Sequence, residues 1–316
     1  MGRDCYTDME GLFLYKNMVQ VPPLGMIDDI ASFAECNVDS LKTNAIINSK
    51  IESKKLEFGQ SKCFTIHIGK YPGKCQNLKV HKNTVTSKAS EKYLGDIVSS
   101  TGNNTENINF KANQDIGAVS QILSMINRVS LGHNYFEIAL IMKESMLDSK
   151  LLSNSEIWYN VTKDQYTKLE RIGEMFMRRF LNVPISVPKE ALYIEGGCLP
   201  IKYLVKIRRL MYLWGILHSD NQELVVKFFK AQSLSSDKGD WVNQVGKDRK
   251  EIDLKMTNDE ICKISQEKFR GIVKIKTTNL AIKNLNEIKM KHSKTENLIL
   301  STFSLAKYFV SKNLKK

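Results

Sequence analysis

Near residue 105 the spacing of apolar residues changes period, and this change constrains the fold more than any single motif. Beyond it the pattern is helical for most of the remaining chain. One helix is expected over about Ile108 to Leu131 and another over Tyr135 to Leu152. Thr162-Lys163-Asp164-Gln165 has capping-box spacing, and Tyr166, Leu169, Ile172, Phe176 and Phe180 follow at helical intervals. Pro184 lies just beyond that helix. Pro188 opens a short helix that Gly196-Gly197 closes. The next helix, about Ile201 to Leu217, carries Leu204, Ile207, Met211 and Trp214 on one face and the cations Lys202, Lys206 and Arg209 on another. Two or three further helices are expected from Leu224 on, with Ser233–Gly239 as a linker.

Before residue 105 the reading is mixed α and β. Leu24 to Ile27 and Ile30 to Phe33 are short apolar runs around Asp28-Asp29, which suits a tight hairpin, and Pro22-Pro23 keeps a helix from entering it. Asn37 caps a helix running to about Lys55, with Leu41, Ile47 and Ile51 inward. Phe64, Ile66 and Ile68 alternate with Cys63, Thr65 and His67 as a half-buried strand. Tyr93 to Ser99 reads as another strand, with Tyr93 and Leu94 in its core, and Gly102, Asn103 and Asn104 make the turn after it.

The 316-residue chain is 42% hydrophobic and 26% charged, which fits a globular protein. No apolar run nears the ~20 residues a membrane helix needs, and no secretory signal opens the chain. The six cysteines form no C-x-x-C pair, and the five histidines are scattered. A zinc site is not expected, and the reading is a reduced intracellular compartment, nuclear or cytoplasmic, not secreted. The net charge of +13 is concentrated late. Residues 1–195 hold 23 basic and 22 acidic side chains, whereas residues 196–316 hold 24 and 12. From Lys268 on there are 12 basic residues against Glu287 and Glu296. Such a block attracts phosphate backbones without sequence preference. A solvated basic tail gives the same composition.

Adjacent aspartates in a strand–turn–strand invite two explanations. Hairpin turns favour Asn-Gly or Asp-Gly, and like charges side by side repel. A divalent cation relieves that repulsion, and carboxylate oxygens suit magnesium. A chance pair in a turn is the alternative.

The run from Tyr15 through Val21-Pro22-Pro23-Leu24-Gly25-Met26-Ile27-Asp28-Asp29-Ile30 resembles reverse transcriptases of non-LTR retrotransposons, where this element is the palm hairpin. Lys54-Lys55-Leu56-Glu57-Phe58-Gly59-Gln60-Ser61-Lys62-Cys63 looks like the next palm motif. Glu91-Lys92-Tyr93-Leu94-Gly95-Asp96 resembles the primer-grip strand and turn. Residues 108–182, with Asn154-Ser155-Glu156-Ile157-Trp158-Tyr159, look like the helical thumb. Asn182-Val183-Pro184 and Gly197-Cys198-Leu199-Pro200 resemble segments that follow it.

The resemblance implies an α+β fold, mostly α: a partial palm over residues 1–105, a thumb over 106–185 and a basic helical region over 186–316. It implies that Asp28 and Asp29 bind Mg2+ in a complete palm, and that Lys62 acts near the incoming triphosphate. Tyr93, Leu94, Gly95 and Asp96 would position the primer end, and the substrate would be an RNA template with a DNA primer. Lys202, Lys206 and Arg209 are expected to follow phosphates. Trp158 and Tyr159 read as packing residues, and Arg178 and Arg179 as a solvated face or a backbone contact.

The family also needs an earlier aspartate-bearing palm strand and a fingers region, and only 27 residues precede Asp28. A two-metal site lacks its third carboxylate here, so the chain is expected to be a fragment without polymerase activity of its own. Two other classes stay open: a nucleic-acid-binding remnant without chemistry, and an unrelated helical interaction protein. A nuclease is disfavoured, because Asp253, Asp259 and Glu260 read as helix-start acids.

Overall fold

The structure is a computed structural model that describes residues 12–14, 19–21, 24–26, 29–34, 37–55, 59, 62–68, 79–80, 83–128, 135–234 and 239–292. These residues are mostly helical, with a small set of short strands. The chain divides into two compact units. One comprises residues 1–106 and 220–236, and the other residues 107–219 and 237–316.

The first unit is assembled from two-stranded pieces. β1 (Leu12–Leu14) pairs with β2 (Val19–Val21), and β3 (Leu24–Met26) pairs with β4 (Asp29–Ala31), both antiparallel. α1 (Asn37–Ser53) follows. β5 (Phe64–Thr65) runs parallel to β8 (Thr86–Ser87), and the Lys88 amide extends that ladder to Thr65 O at 2.9 Å. β6 (Lys79–Val80) and β7 (Asn83–Thr84) form another pair. Asn44 and Asn48 of α1 both donate to Lys79 O, which ties the helix to β6. β9 (Ser90–Tyr93) and β10 (Asp96–Ser99) close the series.

Three sequence expectations for this unit change. Of the inward set on α1, Ile47 is buried and Ile51 half-buried, but Leu41 is exposed. The strand at Phe64 stops after Thr65, and Ile68 is 65% exposed. The strand read over Tyr93 to Ser99 is instead a hairpin whose turn is Leu94-Gly95. Leu94 is therefore an exposed turn residue and not core.

The second unit begins in α2 (Thr105–Arg128). α3 (Tyr135–Met142) continues through a π-helical stretch, Lys143–Asp148, into α4 (Ser149–Leu151). The single helix expected there thus carries a π-bulge. Across the bulge the buried ammonium of Lys143 bonds Asp148 at 2.7 and 2.9 Å. Burial alone would push the Lys143 pKa down, but the adjacent Asp148 carboxylate, with smaller contributions from Cys198 and Glu144, raises it on balance.

A 3-10 turn, Ser155–Ile157, leads to α5 (Lys163–Leu181). The capping box at its start is formed: the Thr162 amide donates to Gln165 Oε1 at 2.8 Å, and the Gln165 amide to Thr162 Oγ1 at 3.3 Å. α6 (Lys189–Glu195) ends on Gly196, and Gly197 takes φ +59°, the left-handed region glycine tolerates. Then come α7 (Ile201–His218), α8 (Leu224–Leu234, in the first unit), α9 (Trp241–Glu251), α10 (Asn258–Cys262) and α11 (Gln266–His292). Among the described residues four helices stand where the sequence pattern predicts two or three.

α5 packs on both α6 and α7, so packing runs across residue 185. The core of this unit joins Ile108, Val119 and Ile126 of α2 to Leu169, Phe176 and Met177 of α5 and Val205 of α7. Trp158 is part of it, as its packing role requires, whereas Tyr159 is partly exposed. No helix among the described residues is long and apolar enough to cross a membrane.

Candidate nucleic-acid interface

The described part of the hairpin around the two aspartates is its two strands. Met26 stands opposite Asp29, Gly25 opposite Ile30 and Leu24 opposite Ala31. Asp29 therefore opens β4, while Asp28 lies outside the described residues. Among the described residues no three His, Cys, Asp or Glu side chains gather to hold a metal. Those residues alone do not supply the ligand set of the magnesium implied for a complete palm.

Lys62 is exposed, its amide bonded to Gly59 O at 2.8 Å. Tyr93 and Asp96 face each other across the tip of the β9–β10 hairpin. Leu94 has φ +47° and Gly95 φ +89°, the signature of a tight type I′ turn. A glycine suits the second position, but a leucine at the first stores strain, because Cβ crowds the backbone in the left-handed region. Nearby, Lys88 lies 5.5 Å from the centre of the Phe64 ring and pairs with Glu91, which holds that carboxyl below its usual range.

The expected phosphate track on α7 is not an exposed stripe. Lys202 is exposed, its ammonium 4.7 Å from the centre of the Tyr203 ring. Lys206 is 8% exposed and Arg209 only 1%. Arg209 pairs with the equally buried Asp248 of α9 and donates from Nε to Trp158 O at 2.9 Å. Lys206 pairs with Glu251 and lies 3.3 Å from Asp248. Gln244 adds a bond to Asp248 Oδ1 at 3.2 Å. α7 is buried nearly all round, so its charges need internal partners. Contrary to the expected phosphate track, Lys206 and Arg209 are buried structural cross-links between α7 and α9.

Arg178 and Arg179, in the last turn of α5, donate to Pro184 O at 2.8 Å and to Ser120 Oγ at 3.0 Å. Another buried polar pair ties α5 to α6 and α7: the Tyr193 hydroxyl donates to Glu170, which also accepts the Lys202 amide at 3.3 Å. Burial raises the Glu170 carboxyl pKa, and these hydrogen bonds offset part of the rise. Asp259 and Glu260 do sit at a helix start, where Glu260 and Thr257 close a second capping box.

Exposed cations are found on α11. Its buried side is Phe269, Val273, Thr277, Ala281 and Leu285, and it packs on α7. Lys268, Arg270, Lys274 and Lys283 are exposed. The charge block read from the sequence is thus displayed on a folded helix over this stretch. Arg208, the neighbour of Arg209, stands apart from the expected row of cations. Arg208 lies off the Lys202–Lys206–Arg209 row, is half-buried, and donates to Leu152 O at 2.9 Å. The signal for it is helical phase: one residue turns the side chain about 100° around the axis.

Compared with family models, curated proteins and solved structures, the chain matches none.

Proposed function

We propose that the chain is the C-terminal part of an RNA-directed DNA polymerase of the retrotransposon type, without polymerase activity by itself. The observation that carries this reading is the order of elements along the chain. A short antiparallel hairpin surrounds the Asp-Asp run, α1 follows, and a tight hairpin then presents Tyr93 and Asp96 at its tip. Long helices come next. This is the order the sequence motifs imply for palm, primer grip and thumb. In the complete enzyme, two metal ions held by three carboxylates would stabilise the attacking and leaving oxygens of nucleotidyl transfer. Asp28 and Asp29 are the two carboxylates this chain supplies.

A primer-extension assay with an RNA template, DNA primer, nucleotides and Mg2+ tests the reading. The chain alone is expected to add no nucleotide. Adding in trans a polypeptide that carries the fingers region and the first aspartate-bearing palm strand of an enzyme of this type is expected to give extension that Asp28→Ala abolishes. Extension that survives Asp28→Ala and Asp29→Ala would refute the assignment.

The exposed cations of α11 favour a second reading, nucleic-acid binding without chemistry. It shares the polyanionic partner and needs no metal.

A further inference from the structure

Between α3 and α4 the helix holds one residue too many for an α turn. The Ser149 amide donates to Glu144 O, a step of five residues where an α-helix takes four. The same step separates Lys143 from Asp148, whose buried side chains meet at 2.7 and 2.9 Å. In an unbroken α-helix, residues five apart point about 140° away from each other. The ion pair therefore fits the π turn and not an α turn. Two hydroxyls bond carbonyls of the same stretch: Ser145 Oγ donates to Ile141 O at 2.8 Å, and Ser149 Oγ to Ser145 O.

The buried positions show what the extra residue does. Leu140, Lys143, Leu147, Asp148, Leu151 and Leu152 are all buried. At about 100° per residue, Leu152 would fall roughly 180° from Lys143, on the opposite side of the helix. One residue taken up by the π turn brings Leu152 back to about 80° from Lys143, and Asp148 to about 40°. The four leucines then join one apolar cluster with α2 and α5. Glu144, Ser145 and Met146, inside the turn, are exposed. Contacts after the turn depend on the same register. Lys150 pairs with the buried Asp115 of α2 at 2.9 Å. Leu152 O accepts from Arg208 of α7, and Ser153 Oγ accepts from Lys111 of α2.

We propose that the Lys143–Asp148 pair is a latch: it holds one surplus residue in a helix that is otherwise α, and so fixes the register in which α4 meets α2 and α7. The latch stands independently of the polymerase reading. Removing the pair frees the surplus residue to move along the helix, and the Ser149 amide returns to the four-residue bond with Ser145 O. Deleting the surplus residue leaves an α turn in which the pair sits four apart, a spacing at which side chains also meet.

The test uses variants of the full chain, read by thermal denaturation, circular dichroism and the NMR coupling across the Ser149 N–H to Glu144 C=O hydrogen bond. Lys143→Met/Asp148→Leu leaves no lone charge buried, so the chain is expected to stay folded. Its Ser149 coupling is expected to leave Glu144 and appear at Ser145. Deletion of Ser145 is expected to lower the midpoint by less than about 5 °C, because the buried residues on both sides keep their places. The Ser149 coupling to Glu144 should persist there, now as a four-residue step. Deletion of Gln121, an exposed residue within α2, is the control. It turns the rest of α2 by about 100° and is expected to lower the midpoint by more than about 15 °C. A loss from the Ser145 deletion as large as from the control would overturn the surplus residue. A coupling that stays on Glu144 in the folded double variant would overturn the latch. Should that variant unfold, the reversed pair Lys143→Asp/Asp148→Lys decides: coupling on Glu144 supports the latch, and coupling on Ser145 overturns it.

Discussion

In the helical unit, Ile108, Val119, Ile126, Leu169 and Phe176 belong to one contiguous apolar cluster drawn from several long helices. Among the described residues of the strand-bearing unit, the buried pair Val21 and Ala231 packs with Leu224 and Phe228. Its strands are two to four residues long, and each described sheet has two of them. An isolated two-stranded pairing is marginal in water. The motifs that suggest polymerase chemistry lie in the unit with the thinner described core, and the exposed basic helix lies in the unit with the larger one.

The largest test of this contrast is the buried ion pair. Arg209→Met removes the guanidinium partner of the buried Asp248 and leaves it only Lys206 at 3.3 Å and the Gln244 amide at 3.2 Å. It should destabilise the helical unit by ~3–5 kcal/mol in urea denaturation followed by circular dichroism. Removing both charges in Arg209→Met/Asp248→Leu should recover most of the loss. A cost under about 1 kcal/mol for the single variant would mean that water reaches the pair. Next is Gly196→Ala. An added Cβ would stand 2.7 Å from Leu192 O and collide with the Met177 side chain, for an overpacking cost of about 1–3 kcal/mol. Thermal denaturation reads it, and an unchanged midpoint would show that the turn yields freely.

Leu94→Asn should act in the opposite direction in the other unit. Asparagine tolerates positive φ, so relief of the strained turn should add roughly 1 kcal/mol to hairpin stability. Slower amide exchange in β9 and β10 would register it, and faster exchange would contradict the turn assignment.

The smallest effect is on pH dependence. The folded Glu170 carboxyl titrates above its ordinary 4.5, and Asp115 above its ordinary 3.8, in both cases chiefly through burial. Between the ordinary and the raised pKa the folded state binds more protons, so their contribution to stability falls as pH rises through that window. Glu170→Gln should flatten the decline. An unchanged slope would mean that another group sets it.

What could be read in the sequence were the features that nearby residues decide. The Thr162–Gln165 box and the Gly196-Gly197 stop depend on partners within a turn of helix, and both formed. The mostly helical character after residue 105 was legible for the same reason. The role of Lys206 and Arg209 was not, because their acidic partners lie 45 and 39 residues away. A stripe of cations looks solvated until tertiary packing surrounds it. The turn at Leu94 was hidden by a leucine where hairpins favour asparagine or glycine. The packing of α11 on α7 joins residues far apart in sequence, which no local pattern specifies.

One titration bears on the account most directly. A labelled RNA–DNA primer–template is mixed with the full chain, nucleotides and Mg2+ over a series of salt concentrations, and binding and extension are read from the same samples. The expected result is binding that falls steeply and log-linearly with salt, and no extension at any salt. Absence of binding at the lowest salt, or extension by the chain alone that Asp28→Ala abolishes, would contradict it.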